Sequence, residues 1–423
     1  MLPSPVTRVE ISRSRLIGNF EFLRSLLPSS GDRVAAATGG ELVATSDLLA
    51  VVKANAYGHG LSPCAPWLVQ AGAQWLGITS VEEGIALRGL CTKVRILVMR
   101  GLLHGESDAL IDAQLTPTVW ETEQLGWLAK AAQQRALAVG SVPIHLEIDS
   151  GMSRQGVELP RLANLLGTLQ SLPMLRLAGV YTHFASADML DAEQNRLQRT
   201  AFRRAVEQIL AAGFHPQWIH AGNSSTLLAR QAMDFNDLPH TEGAKYLIRP
   251  GIALYGYAPV FSGAECEVAE QARARLRPVL TWKTVIASTR TVEPGTAVGY
   301  SATFVAPAKM RLALLPVGYA DGLNRKLSGS NSSEGGHVLI HGVPAPIVGR
   351  VSMDLTVVDI SHIPNVATGD EVVILGEHNG SEQDGGEQNG QRVTADDHAR
   401  WAGTIPYEIL CAISARVPRV PCE

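Results

Sequence analysis

The stretch LAVVKANAYGHG, residues 49–60, places a lysine where an apolar run breaks off. Residues 49–52 have the continuous apolar character of a strand that is buried on both faces. Small and hydrogen-bonding residues follow Lys53 at once. Because an ammonium group beside a buried strand is costly unless it has a partner, Lys53 is the first candidate for a functional side chain.

Apolar runs of the same kind recur along the first two thirds of the chain, separated by segments with helical periodicity. They are LLAVVK (48–53), WLGITS (75–80), VRILVMR (94–100), LTPTVW (115–120), VPIHLEID (142–149), LAGVYTHF (177–184), PQWIHAGN (216–223) and KYLIRPGI (245–252). Eight predicted strands that alternate with helices predict an α/β fold with a closed (β/α)8 TIM barrel. An open doubly wound sheet is the alternative, but no glycine-rich dinucleotide motif follows the first strand.

The pattern changes after about residue 275 to short β-rich runs punctuated by proline and glycine. We therefore predict a barrel domain over 12–274 and a mostly β domain over 275–423 that also includes residues 1–11. Three segments rich in Gly, Ser, Asn and Gln, 29–46, 328–337 and 377–391, are predicted to be mobile surface insertions.

Composition excludes several classes of protein. The chain has 423 residues, 46% of them hydrophobic, and a net charge of −4 without a dense basic run, which argues against nucleic-acid binding. Its five cysteines have no metal-binding or disulfide spacing, which suits a cytoplasmic protein without a structural metal. No signal peptide or membrane-spanning stretch is expected.

Polar residues collect at the carboxyl ends of the predicted strands, where TIM barrels carry their chemistry. They are Lys53, Glu147, Asp149, His183, Asn223, Ser224 and Arg249. The last two strand ends, HAGNSS and RPGI, supply hydroxyl and backbone donors for a phosphate. A lysine for a Schiff base, a phosphate anchor and an arginine for a ring nitrogen together indicate pyridoxal 5′-phosphate.

Further segments extend this pattern in order along the chain. They are AVVKANAYGHG, HLEIDSGMSRQGV, GVYTHFASAD, HAGNSS, IRPGIALYGYAP, VGYSATF, LPVGYADGLNR, VGRVSMD, GDEVVILG and IPYEILCAISARVPR. Together they resemble the alanine racemases over about residues 48–419.

The resemblance implies a role for each matched residue. Lys53 would carry the cofactor and act as one catalytic base, and Tyr300 of a partner subunit would be the other. Tyr57, Asn223, Ser224, Gly251, Ile252 and Tyr407 would hold the phosphate, Arg249 would face the ring nitrogen, and His183 would lie between Arg249 and Tyr300. Arg154 would bind the substrate carboxylate, with Met353 and Asp354 contributed by the partner.

The resemblance also implies an isomerase that interconverts L- and D-alanine, works as a homodimer with shared active sites and supplies D-alanine for peptidoglycan. The alternatives are a racemase of broader specificity for serine or basic amino acids, a related decarboxylase, and a non-enzymatic carrier of the cofactor. One position departs from the family: Glu147 stands where many members carry a carbamylated lysine. We expect Glu147 to keep that negative charge and to pair with Arg154.

Overall fold

The structure is a computed structural model, and it describes residues 5–27, 46–230, 238, 243–264, 266–378 and 391–423. Contacts divide the chain into two units. The C-terminal unit joins Met1–Ser14, Tyr57–Gly60 and Pro278–Glu423, and the barrel unit joins Arg15–Ala56 and Leu61–Arg277. In the described part of the chain, no helix combines the length and hydropathy of a membrane-crossing segment.

The barrel unit is a closed ring of eight parallel strands. After strand β1 (Arg8–Ser12) and helix α1 (Arg13–Ser25), the ring consists of β2 (Ser46–Val51), β3 (Trp75–Ile78), β4 (Arg95–Val98), β5 (Thr116–Val119), β6 (Val142–Glu147), β7 (Leu175–Tyr181), β8 (Trp218–His220) and β9 (Lys245–Ile248). Each strand pairs with the next, and β9 closes the ring by pairing with β2, Ser46 opposite Tyr246. The predicted TIM barrel is confirmed, and the closing pair excludes the open sheet.

Helices follow the strands around the ring. They are the short left-handed segment α2 (Lys53–Tyr57) and the helices α3 (Leu61–Gln70), α4 (Val81–Leu90), α5 (Ser107–Asp112), α6 (Thr122–Gln134), α7 (Leu159–Gln170), α8 (Glu193–Ala211), α9 (Ser224–Leu228) and α10 (Cys266–Ala274). Local chemistry explains where they begin. Ser80 accepts a hydrogen bond from the Glu83 amide at the start of α4, and Glu121 and Gln124 form a capping box at the start of α6.

The C-terminal unit is mostly β, as predicted. Its strands are β10 (Leu280–Val285), β11 (Ser288–Val292), β12 (Ala297–Val298), β13 (Phe304–Val305), β14 (Met310–Leu315), β15 (His337–Ile340), β16 (Val343–Pro346), β17 (Thr356–Asp359), β18 (Glu371–Glu377), β19 (Arg392–Val393) and β20 (Arg419–Cys422), with helices α11 (Ala395–Ala402) and α12 (Pro406–Ala412). The main sheet has the order β16-β15-β18-β10-β1-β20, so the first strand of the chain lies between β10 and β20.

Two of the three expected insertions, 29–46 and 377–391, fall almost wholly outside the described residues. The third, 328–337, is held by specific bonds. The Asn331 side chain accepts from the Val305 amide at 2.7 Å and donates to the Val305 carbonyl at 2.9 Å. Residues 335 and 336 are buried. The expectation that this segment cannot order itself is therefore wrong, because hydrogen bonds to β13 compensate for its low hydrophobicity.

Candidate active site

Lys53 is half-buried and lies two residues after the end of β2. The chain then makes a left-handed turn: φ is 53° at Ala54, 53° at Asn55, 56° at Ala56 and 52° at Tyr57. The left-handed conformation costs an L-residue roughly 1–2 kcal/mol. Backbone and side-chain hydrogen bonds oppose this cost, since Ala56 donates to the Val52 carbonyl at 2.9 Å and Asn55 Oδ1 accepts from the Leu61 amide at 2.7 Å.

The two tyrosines expected at the phosphate come together in the C-terminal unit. The ring centroids of Tyr57 and Tyr407 lie 6.2 Å apart at an angle of 48°. Burial raises the pKa of the Tyr57 hydroxyl, so it stays protonated and can donate a hydrogen bond. Gly58 is required here, because its φ is +80° and a Cβ would lie 2.1 Å from the Leu410 carbonyl oxygen.

The ends of β8 and β9 form a cluster of donors in the barrel unit. The buried Ser224 Oγ accepts from the amides of Gly251, at 3.0 Å, and Ala253, at 3.3 Å, which leaves its own O–H to donate elsewhere. Within the described residues the amide of Ile252 has no acceptor. Asn223 uses its side-chain oxygen to cap α9, so only its NH₂ group remains for a ligand. These donors suit an anion.

Arg249, the residue after β9, is buried without an acidic partner among the described residues. Its Nη2 donates to the Thr182 carbonyl at 2.7 Å and lies 3.3 Å from His183 Nδ1. Its Nη1 lies 3.2 Å from His220 Nδ1, and its guanidinium carbon lies 4.9 Å from the centroid of the Tyr181 ring. Burial lowers the pKa of this guanidinium, but an arginine stays protonated in proteins. The structure thus holds a desolvated cation that is ready for a polar ligand atom.

His183 is neutral in this environment. Burial, followed by the positive charges of Arg249, Arg154 and Lys53, lowers its pKa to about 3. Because Arg249 can only donate, His183 Nδ1 must accept, and the ring proton is then on Nε2. His183 can therefore donate a hydrogen bond from Nε2 to a second group.

We expected Glu147 to pair with Arg154, and the structure does not form that pair. Glu147 Oε2 accepts from the Tyr181 hydroxyl at 2.7 Å and from Gln155 Nε2 at 2.5 Å. Burial raises the pKa of this carboxyl, although both donors and the charges of Arg249 and Arg154 oppose the shift. Arg154 is exposed and, in the described part of the chain, has no ion pair. Sequence reasoning missed Gln155, Tyr181 and His220.

The residues expected from a partner subunit are exposed in the C-terminal unit. Tyr300 is 70% exposed and Met353 54% exposed. Asp354 is also exposed and accepts a 2.7 Å hydrogen bond from Arg416, which also binds Asp321. Within its own unit, therefore, Tyr300 is available to another molecule.

Comparison with known proteins identifies the family. The family described as "Alanine racemase, N-terminal domain" matches residues 36–259, and "Alanine racemase, C-terminal domain" matches residues 279–421. The chain belongs to the alanine racemase family. Alanine racemases of Geobacter sulfurreducens and Syntrophobacter fumaroxidans are 37% and 38% identical to it, over 88% and 87% of this chain and 90% and 88% of theirs.

Solved structures of the family agree with the fold. The alanine racemase of a D-cycloserine-producing Streptomyces lavendulae is 32% identical, with a TM-score of 0.81 over 99% of this chain and 98% of that one. The Bartonella henselae alanine racemase, whose structure has covalently bound pyridoxal phosphate, is 24% identical, with a TM-score of 0.77 over 99% and 100% of the two chains. At that identity the second likeness supports only the fold.

Proposed function

We propose that this chain is a pyridoxal 5′-phosphate-dependent alanine racemase that interconverts L- and D-alanine through two bases, Lys53 and Tyr300 of a partner subunit. One observation carries the proposal: the barrel has a lysine after β2, anion donors after β8 and β9, and after β9 the buried Arg249, which forms no ion pair with any described residue. These groups match the aldehyde, the phosphate and the ring nitrogen of the cofactor.

The donor set suits each part of the cofactor. The Ser224 hydroxyl and the Ile252 amide would hold the phosphate, with the NH₂ group of Asn223 as a further donor. The Gly251 amide already donates to Ser224 Oγ, so Gly251 would act by orienting that hydroxyl toward the phosphate. The resemblance assigns Tyr57 and Tyr407 to the same phosphate. Bound pyridoxal 5′-phosphate would supply an aldehyde that reacts with amines and a ring that withdraws electrons from the substrate α-carbon.

Racemisation needs a proton removed from one face of the α-carbon and another delivered to the opposite face. Lys53 serves one face and Tyr300 the other. A phenol has a pKa near ~10 and a lysine amine near ~10.4, so both need a changed environment to act at neutral pH. The Nε2–H of His183 would donate to the Tyr300 oxygen and stabilise its phenolate, while Arg249 orients His183 from the other side.

A homodimer with shared active sites follows from this assignment. Exposed large hydrophobic side chains in the C-terminal unit support a second copy as the partner. Among the described residues of this unit they are Val6, Tyr300, Tyr319, Met353, Leu355 and Ile405. The proposed physiological role is the cytoplasmic supply of D-alanine for peptidoglycan.

Substrate choice depends on Arg154 and Glu147. Arg154 has no ion pair within the described residues, so its guanidinium can bind a substrate carboxylate bidentately. Glu147 is bound to Tyr181 and Gln155 instead of orienting Arg154. This freedom of Arg154 favours the alternative of a broader specificity, which would include serine or basic amino acids.

The test of shared active sites uses mixed subunits. Lys53→Ala and Tyr300→Phe proteins are each expected to be nearly inactive, and their heterodimer would contain one intact site. Random exchange of subunits then restores about a quarter of the wild-type activity, because about half of the dimers are mixed. If mixing restores nothing, both bases come from one chain and the proposed dimer mechanism is wrong.

Substrate breadth is tested with the cofactor-loaded protein and separate solutions of L-alanine, serine, lysine and arginine, followed by chiral chromatography. Alanine as the best substrate by kcat/KM supports the proposal, and faster racemisation of another amino acid establishes the broader alternative. Cofactor binding without conversion of any of them would identify a carrier.

A further inference from the structure

Two buried histidines extend from Arg249 into the barrel. Arg249 Nη1 lies 3.2 Å from His220 Nδ1, and His220 Nε2 lies 2.9 Å from His145 Nδ1. Both imidazoles are 0% exposed. His220 ends β8, His145 lies in β6 and Arg249 follows β9, so strands of the barrel fix the positions of all three residues.

The donor-only guanidinium of Arg249 determines the direction of both hydrogen bonds in this series. A guanidinium has only donors, so His220 Nδ1 accepts, and in a neutral imidazole the proton then lies on Nε2. His220 Nε2–H donates to His145 Nδ1, which places the His145 proton on its Nε2. Both rings are neutral. Burial, followed by the charges of Arg176 and Arg249, lowers the pKa of His145 to about 3. Burial, followed by His145 and Arg249, lowers the pKa of His220 well below its ordinary value.

The Nε2 side of His145, at the end of this hydrogen-bond series, meets packed side chains and backbone. Within the described residues His145 Nε2 has no hydrogen-bond partner. The ring lies 5.1 Å from Trp75 at an angle of 53°, and a Cβ on Gly179 would lie 2.6 Å from its atoms. A buried donor without an acceptor is unfavourable, so an apolar residue would satisfy packing alone at lower cost. What the imidazole adds is the acceptor at Nδ1.

We propose that His145 is a positioning residue that holds His220 in its Nε2–H form, so that the lone pair of Nδ1 faces Arg249. Without an acceptor at position 145, the buried Nε2–H of His220 loses its partner. The other tautomer then turns an N–H toward the guanidinium, donor against donor. Arg249 would be displaced from the place where, on the proposed function, it meets the cofactor ring nitrogen.

Neutron crystallography of the deuterated protein locates the ring protons directly, with or without cofactor. We expect deuterium on Nε2 of both His220 and His145 and none on either Nδ1. In His145→Leu the deuterium on His220 moves to Nδ1 or Arg249 changes position. In His145→Asn the amide oxygen replaces the lost acceptor and the wild-type arrangement returns. Deuterium on Nδ1 of either ring in the wild type overturns the proposal, and this measurement does not depend on the variants folding.

Kinetics provide the second readout. His145→Leu is expected to lower kcat about tenfold, the size expected from one weakened hydrogen bond to a charged group, with KM changed less than about twofold. His145→Asn should recover most of kcat. The control is His398→Leu, which removes another buried imidazole, bound to the Ile374 carbonyl in the C-terminal unit. Unchanged kcat in folded His145→Leu refutes the positioning role. A wild type without racemase activity but with the expected deuterium positions refutes the proposed function alone.

Discussion

In the left-handed turn after Lys53, an Ala→Gly substitution should not destabilise the protein, which is opposite to its usual effect inside a right-handed helix. Ala54 is exposed and has φ 53° and ψ 51°, a conformation that costs an L-residue about 1–2 kcal/mol. Glycine adopts it freely but loses about 0.5–1 kcal/mol more conformational entropy on folding. Ala54→Gly should therefore leave the free energy of unfolding unchanged or raise it by up to about 1.5 kcal/mol.

Ala86 provides the matched control. It is also exposed but lies inside the right-handed helix α4, where Ala→Gly costs about 1 kcal/mol. A third variant, Asn55→Ala, removes a side chain that tolerates the left-handed region and accepts from the Leu61 amide, so it should cost about 1–2 kcal/mol.

Urea unfolding of the three variants and the wild type, followed by far-UV circular dichroism, gives the differences in unfolding free energy. Ala54→Gly should be more stable than Ala86→Gly by at least about 1 kcal/mol. Equal losses for these two variants would show that the turn is not left-handed in solution.

Three further predictions concern other parts of the structure. Tyr181→Phe removes the hydroxyl donor to the buried carboxyl of Glu147 and should lower the free energy of unfolding by about 1.5–3 kcal/mol in urea; a loss below about 0.5 kcal/mol would contradict this bond. Burial lowers the pKa of His398 to about 4, so between pH 6.5 and 4 the unfolded chain binds a proton that the folded chain does not. Over that pH range, the free energy of unfolding of His398→Leu should therefore fall less steeply than that of the wild type, by about 1.4 kcal/mol per pH unit. The same pH dependence of the unfolding free energy in both proteins would contradict this prediction. Gly58→Ala should prevent folding of the C-terminal unit, because its Cβ would overlap the Leu410 carbonyl oxygen. The control Gly89→Ala has open space around its Cβ in α4 and should stabilise the protein by roughly 0.5–1 kcal/mol. A soluble Gly58→Ala protein that melts cooperatively would refute the close contact between residue 58 and Leu410.

The barrel could be predicted because strands buried on both faces read as continuous apolar runs, and eight such runs with helices between them leave few alternatives. The positions of Lys53, Ser224 and Arg249 at strand ends followed from the same pattern. The left-handed turn could not be predicted, because three of its four residues are not glycine or asparagine and local rules disfavour them there.

Pairings inside the site were harder to predict. Glu147 and Arg154 are close in sequence and opposite in charge, yet Gln155 and Tyr181 take the carboxylate. Charge alone does not say which way a loop side chain points. The contact between His145 and His220 joins β6 to β8, and only the register of the closed barrel brings them together. Alternation along β6 does predict that His145 and Glu147 share a face, which was the one available signal.

On the proposed function, Lys53 and Tyr300 of a partner subunit move protons on opposite faces of alanine. The most direct measurement is exchange of the α-proton for deuterium by NMR, with cofactor-loaded wild type, Lys53→Ala and Tyr300→Phe, starting separately from L- and D-alanine in D2O. The wild type should exchange both enantiomers and form each from the other. Each variant should lose exchange with one enantiomer, and the two variants should lose opposite ones. If both variants lose exchange with the same enantiomer, or the loaded wild type exchanges neither, the two-base account is wrong.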